Sequence, residues 1–168
     1  MKEDKEILIK KPIDQLNLFG FESYFNAFDK LYQKNKLPNS ILLSGSKGLG
    51  KSTFIYHFIN YLLSKNEQHK YDKISYSINN KNLSYKMLQN KIHANLFILD
   101  SVNSENIKIE QVRELFLFLN KTTYYKGIKI VLLDNAENLN INSSNALLKS
   151  IEEPDKNTFF FIINNNSE

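Results

Sequence analysis

Gly45-Ser46-Lys47-Gly48-Leu49-Gly50-Lys51-Ser52 matches the phosphate-loop pattern G-x-x-x-x-G-K-[ST] at every position, and its surroundings decide how the chain is read. Before it, Ser40-Ile41-Leu42-Leu43-Ser44 is a short apolar run of buried-strand type. After it, Ser52 to Leu63 carries Phe54, Ile55, Phe58, Ile59 and Leu62 at helical spacing. A strand, a glycine loop and a helix start gather backbone N–H groups around one point, where the positive end of the helix dipole also lies. That arrangement suits a chain of phosphates. Lys51 can then reach the β- and γ-phosphates, and the Ser52 hydroxyl can ligate Mg²⁺. The competing reading, a glycine turn joining strand to helix by chance, has both flanks against it. The candidate nucleotide-binding set is Gly45, Lys47, Gly48, Gly50, Lys51, Ser52 and Thr53, with the Lys47 side chain expected in solvent.

With 168 residues the chain has the length for one domain with a proper core, and 42% hydrophobic residues indicate a globular protein. It has no cysteine, which excludes disulfides and cysteine-held zinc. Met1-Lys2-Glu3-Asp4-Lys5-Glu6 has no apolar segment of signal type, and no apolar run is long enough to span a bilayer. A cytoplasmic protein is expected. The formal charge of +4 is compatible with a polyanion partner but does not establish one. Nearly all of the positive charge is lysine, with Arg113 the one arginine, and the lysine and asparagine richness reads as genome bias.

Along the chain, a helix is expected over about 14–37, ended by Pro38. The segment 64–95, rich in Lys, Asn, Ser and Tyr, reads as a polar insertion or mobile connection with one short helix near 84–92. Leu96–Asp100, Ile128–Asp134 and Thr158–Ile163 are further strands. Ile109, Val112, Leu115, Phe116 and Leu119 mark an amphipathic helix, and another runs from Ser143 to Glu153 before Pro154. In that last helix Ala146, Leu147, Leu148 and Ile151 should mostly face the sheet, Lys149 and Glu152 should face outward, and Asn142 or Ser143 should cap the start. Alternating strands and helices give an α/β fold, a P-loop core with a parallel sheet flanked by helices. The chain stops just after the last strand, so one uncovered sheet edge is expected, either because the domain is truncated or because another chain supplies the neighbour.

Val131-Leu132-Leu133-Asp134 fits a second nucleotide motif, an apolar strand ending in an acid that can hold the Mg²⁺ water shell. The next residue is Asn135, whose neutral amide cannot accept a proton in the place where hydrolytic enzymes carry a glutamate. Glu137 lies beyond the strand and is expected to be a poor substitute. Asn164 or Asn165, closing the last strand, could sense the terminal phosphate, or the pair could be loop only. His57, His69 and His93 lack metal spacing and read as surface or packing residues.

Asn145-Ala146-Leu147-Leu148-Lys149-Ser150-Ile151-Glu152-Glu153-Pro154 resembles the N-A-L-L-K-x-L-E-E-P signature of bacterial clamp-loader AAA+ subunits. Ile109 to Leu115, Leu18 to Glu22 and Leu37 to Gly45 are similar to other elements of that family. Asp134-Asn135-Ala136-Glu137 is similar to the D-x-A-[ED] run of the delta-prime type of DNA polymerase III, where the gamma/tau motor type would show Asp-Glu. The resemblance implies an AAA+ core from about 16 to 165, with the strand, lid and collar that follow it missing along with the Ser-Arg-Cys motif. It implies a largely static subunit that binds ATP or ADP with Mg²⁺, hydrolyses little and helps load the sliding clamp. Its partners would be gamma/tau and delta-type subunits, and the sliding clamp and primed DNA through the assembly. The family's zinc-binding cysteines are absent, so no zinc is expected. The alternative is an active P-loop ATPase, either a gamma/tau-like motor or a small nucleotide-dependent enzyme. A kinase of that kind would need an arginine-rich lid, which a single arginine does not provide.

Overall fold

The computed structural model describes residues 10–101, 107, 109–121 and 127–166. Four parallel strands, β1 (Ser40–Ser44), β2 (Leu96–Asp100), β3 (Lys129–Asp134) and β4 (Thr158–Asn164), form one sheet in the order β1-β4-β3-β2. Side chains alternate along each strand, so the sheet has two apolar faces. Ile41 and Leu43, Ile130 and Leu132, and Phe159, Phe161 and Ile163 point to one face. Phe97 and Leu99, Val131 and Leu133, and Phe160 and Ile162 point to the other. On the first face lie α1 (Glu22–Gln33), α2 (Lys51–Leu63) and α3 (Leu83–Gln89). On the second lie α4 (Ile109–Asn120) and α5 (Ile141–Glu152). β3, with residues 130–134 all buried, sits inside the sheet as its near-continuous apolar run requires. No described helix is long and apolar enough to cross a membrane.

Three expectations need correction. The helix expected over 14–37 is α1 alone, preceded by a short 3-10 turn at Pro12–Asp14. Gly20 at φ 78° and Asn35 at φ 53° adopt left-handed conformations outside its two ends, and the Gly20 N–H donates to the Glu22 carboxylate. The segment 64–95 is no loose insertion. Tyr71, Ile78, Tyr85 and Leu88 are buried in the first core, and the Tyr71 ring stacks on Phe25 at 5.2 Å. Two carboxylates fasten the segment. Asp29 of α1 accepts from Lys73, Tyr61 and Gln33, and Glu67 accepts from Leu83 N, Ser84 N and the Ser84 hydroxyl. Polar composition therefore concealed a folded element held by side-chain hydrogen bonds. Finally, α5 begins two residues earlier than expected, because Asn140 and not Asn142 or Ser143 is its cap, accepting from Ser143 N at 2.8 Å. Leu147 is fully buried and Ala146 and Ile151 pack beside it, but Leu148 is 49% exposed; Lys149 and Glu152 face outward as expected.

His57 is a packing residue with a consequence for stability. It is fully buried, and its Nε2 lies 3.1 Å from the Gln15 carbonyl while its Nδ1 lies 3.0 Å from the Tyr71 hydroxyl. A carbonyl only accepts, so Nε2 carries the proton and Nδ1 accepts from Tyr71. Burial pulls the ring's pKa from 6.5 down to about 4. A base depressed in the fold binds more protons when unfolded, so stability is complete above pH 6.5 and drains as the pH falls toward 4. The loss should approach about 3 kcal/mol, since each pH unit of separation is worth about 1.4 kcal/mol. Urea melts at neutral pH and at about pH 5 should show this fall, and His57→Gln should flatten it.

Candidate functional site

Because all four strands run parallel, their carboxyl ends meet along one rim. Ser44 pairs with Asn164 and Asp100 with Asp134. The glycine loop leaves β1 at this rim and enters α2. Gly50 caps the helix at φ 87°, a conformation that disfavours any side chain, and a Cβ there would lie 3.1 Å from the Phe21 ring. The first-turn N–H groups of Lys51, Ser52 and Thr53 have no helical carbonyl to bond, and the first turn of α2 contains no acid. The loop thus presents unpaired donors beside a positive helix end.

Lys51 is only 7% exposed and folds back over the loop, its Nζ donating to the Gly45 carbonyl at 2.7 Å and to that of Ser46 at 2.9 Å. The Ser52 hydroxyl donates to Asp134 Oδ1 at 3.1 Å, which joins the start of α2 to the end of β3. Lys47 is exposed, and Thr53 is half-buried in the first turn. The structure therefore gathers Gly45, Gly48, Gly50, Lys51, Ser52, Thr53 and Asp134 at one rim, and it leaves the Lys47 side chain outside.

The Asp134 carboxyl is raised above its ordinary value, first by burial and then by the charge of Asp100, although Ser52 and the Asn135 N–H oppose the shift. For a raised acid the sign is the reverse of that for His57. The fold favours the protonated form, so the ionised carboxylate lowers stability as the pH rises through the raised value. Asp134→Asn keeps an acceptor for Ser52 and removes that charge. It should melt at a higher temperature than the wild type at neutral pH, and the gap should narrow as the pH is lowered toward the ordinary carboxylate range. Thermal melts at neutral and acidic pH check this.

The two candidate sensors separate. Asn164 Oδ1 accepts from Asn166 N at 2.9 Å and closes a local turn. Asn165 instead donates to two neighbours, Asn135 and Glu137. Glu137, which lies beyond the end of β3, is turned into the rim and accepts from Asn165. Asn135 takes φ 60°, ψ 51°, a short-amide residue in the left-handed region, and a 3-10 turn at Ala136–Asn138 folds the chain back. Burial alone would raise the Glu137 carboxyl, but hydrogen bonds from Asn165 and the nearby Lys51 charge hold it below the usual range. Asp100 is the other residue that motif reading missed. It ends β2 as Asp134 ends β3, and that shared ending was the available signal.

The family model described as "DNA polymerase III, delta subunit" matches residues 20–168. The DNA polymerase III subunit delta' of Pseudomonas aeruginosa is 32% identical over 126 residues, covering 74% of this chain and 37% of that protein. The Escherichia coli subunit delta' is 28% identical over 143 residues, covering 80% of this chain and 40% of its own length. The chain thus spans about two-fifths of the length of these relatives. Among solved structures, a DNA polymerase III gamma subunit-related protein of Thermotoga maritima superposes with a TM-score of 0.51 at 18% identity. That overlay covers 82% of this chain and 38% of that one, and it shows a shared fold. With the phosphate loop, the Asp134 strand and the α5 signature already in place, the match over 20–168 shows that the chain belongs to the DNA polymerase III delta-subunit family, among its delta-prime members.

Proposed function

We propose that this chain is the nucleotide-holding AAA+ core of a clamp-loader subunit, which serves DNA replication as a largely static member of the assembly. One observation carries the reading. The rim brings the glycine loop, Lys51, Ser52 and Asp134 together, a set that suits Mg·ATP or Mg·ADP, and Asn135 stands where a proton-accepting acid is needed for turnover. The chemistry of the donors supports a nucleotide. Backbone N–H groups and Lys51 suit phosphates, and a hydroxyl and one carboxylate suit a Mg²⁺ ion that keeps its waters and takes other oxygens from the ligand. Bound Mg²⁺ would spread the charge of the phosphates. Lys51 would exchange its two loop carbonyls for phosphate oxygens, while Ser52 and Asp134 would face the ion. The partners that fit are gamma/tau and delta-type subunits, with the sliding clamp and primed DNA reached through the assembly, in the cytoplasm.

Three measurements test this. The purified chain should hydrolyse ATP far more slowly than about 1 s⁻¹, the low end for competent enzymes. It should also co-sediment with a gamma/tau-type subunit and bind DNA weakly when alone. Turnover at that rate would favour the motor reading. Tight, salt-resistant DNA binding without affinity for any clamp-loader subunit would remove the assignment.

A further inference from the structure

Asp100, Asn135, Asn165 and Glu137 come from the ends of β2, β3 and β4 and from the turn after β3, and their polar groups form one continuous hydrogen-bonded chain. Asn135 Nδ2 donates to Asp100 Oδ1 at 2.9 Å. Asn165 Nδ2 donates to Asn135 Oδ1 at 2.9 Å and to Glu137 Oε1 at 2.9 Å. The Asn165 main-chain N–H completes the clamp on Glu137 Oε2 at 3.0 Å. Ionised carboxylates only accept, so both ends of the chain are acceptors and the two amides between them must present their nitrogens outward. This fixes the orientation of Asn135 and of Asn165. It also accounts for an amide at 135, because a carboxylate there could not donate to Asp100 and would repel it.

A primary amide nitrogen carries two hydrogens. Those of Asn165 are both engaged, one on Asn135 and one on Glu137, and the remaining lone-pair oxygen is the wrong polarity for a phosphate. Asn165 stands where a sensor would stand, but it has no side-chain donor to give.

We propose that Glu137 is a positioning residue that locks Asn165, so that this site does not use Asn165 to distinguish a nucleoside triphosphate from a diphosphate. The proposal rests on the nucleotide-binding reading above. Releasing the lock with Glu137→Ala frees one Asn165 hydrogen for the terminal phosphate. The preference for ATP over ADP should then rise by about tenfold to a hundredfold, the worth of one charge-assisted hydrogen bond. The gain should vanish when Asn165→Ala is added. In the otherwise wild-type chain, Asn165→Ala should change ATP and ADP affinities by the same factor.

Calorimetric titration with Mg·ATP and Mg·ADP reads these ratios, and a merely structural role for Glu137 would move both affinities together. An ATP-selective loss of about tenfold on Asn165→Ala alone overturns the lock while leaving nucleotide binding intact. If neither nucleotide binds, the reading beneath the proposal falls and the proposal falls with it. A second readout needs no nucleotide and no Glu137 variant. In the nucleotide-free wild type, both Asn165 side-chain amide protons should exchange slowly in NMR spectra; fast, solvent-like exchange of either one overturns the lock.

Discussion

Lys51→Ala should weaken binding of Mg·ATP or Mg·ADP by about 2–5 kcal/mol, the range for removing one partner of a buried charge contact. The ammonium is already nearly buried above the loop, so its desolvation is spent before a phosphate arrives. Its present partners are two neutral carbonyls, which a phosphate oxygen bearing full charge should displace. The variant should still fold, because Gly45 and Ser46 can turn their carbonyls to water. Lys47→Ala, at an exposed loop position, is the control and should leave affinity nearly unchanged. Isothermal calorimetry on the three proteins gives the answer. Equal affinities for wild type and Lys51→Ala would remove nucleotide binding at this loop.

Phe25→Ala should cost about 3–5 kcal/mol of folding stability, the usual price of emptying a buried phenylalanine site. Phe25 is fully buried at the point where three parts of the first core meet. Its ring stacks on Tyr71 at 5.2 Å and meets Phe58, Tyr61 and Tyr76 at 5.4, 5.5 and 5.6 Å. These neighbours come from α2 and from the segment 64–82, so none can close the void without moving an element. Aromatic pairing adds to the loss. Denaturant melts should show the full drop. Leu148→Ala, at a half-exposed position on α5, should stay within about 0.5 kcal/mol. A Phe25→Ala loss as small as that would mean that segment 64–95 packs loosely after all.

The elements that form the candidate site were legible in the chain, and the reason is local. Gly50, Lys51 and Ser52 sit at fixed offsets from one helix start, and β2 is an apolar run bounded on both sides, so its limits at Leu96 and Asp100 could be read directly. What escaped reading depends on contacts between distant residues. Segment 64–95 looked loose because its anchors, Asp29, Glu67 and His57, hold it by hydrogen bonds across gaps that no periodicity records. Glu137 looked stranded because the strand ends at Asp134, and only the left-handed turn at Asn135 brings it back. Asn164 and Asn165 were indistinguishable as letters. Their separate roles depend on which of them faces Glu137.

The sheet order has a consequence for the moment at which the rim comes into being. Among the described residues β1 has β4 as its one strand partner, and Ser44 pairs with Asn164, about 120 residues further along the chain. The strand that carries the glycine loop therefore stays unpaired until nearly all of the described chain has been made. At ribosomal rates of about 5–20 residues per second, that wait lasts roughly 6–24 s. A nascent chain halted before Thr158 would own the whole glycine motif without a seated loop. The proposed nucleotide binding, if the loop performs it, would begin only when β4 leaves the exit tunnel and draws β1 into the sheet.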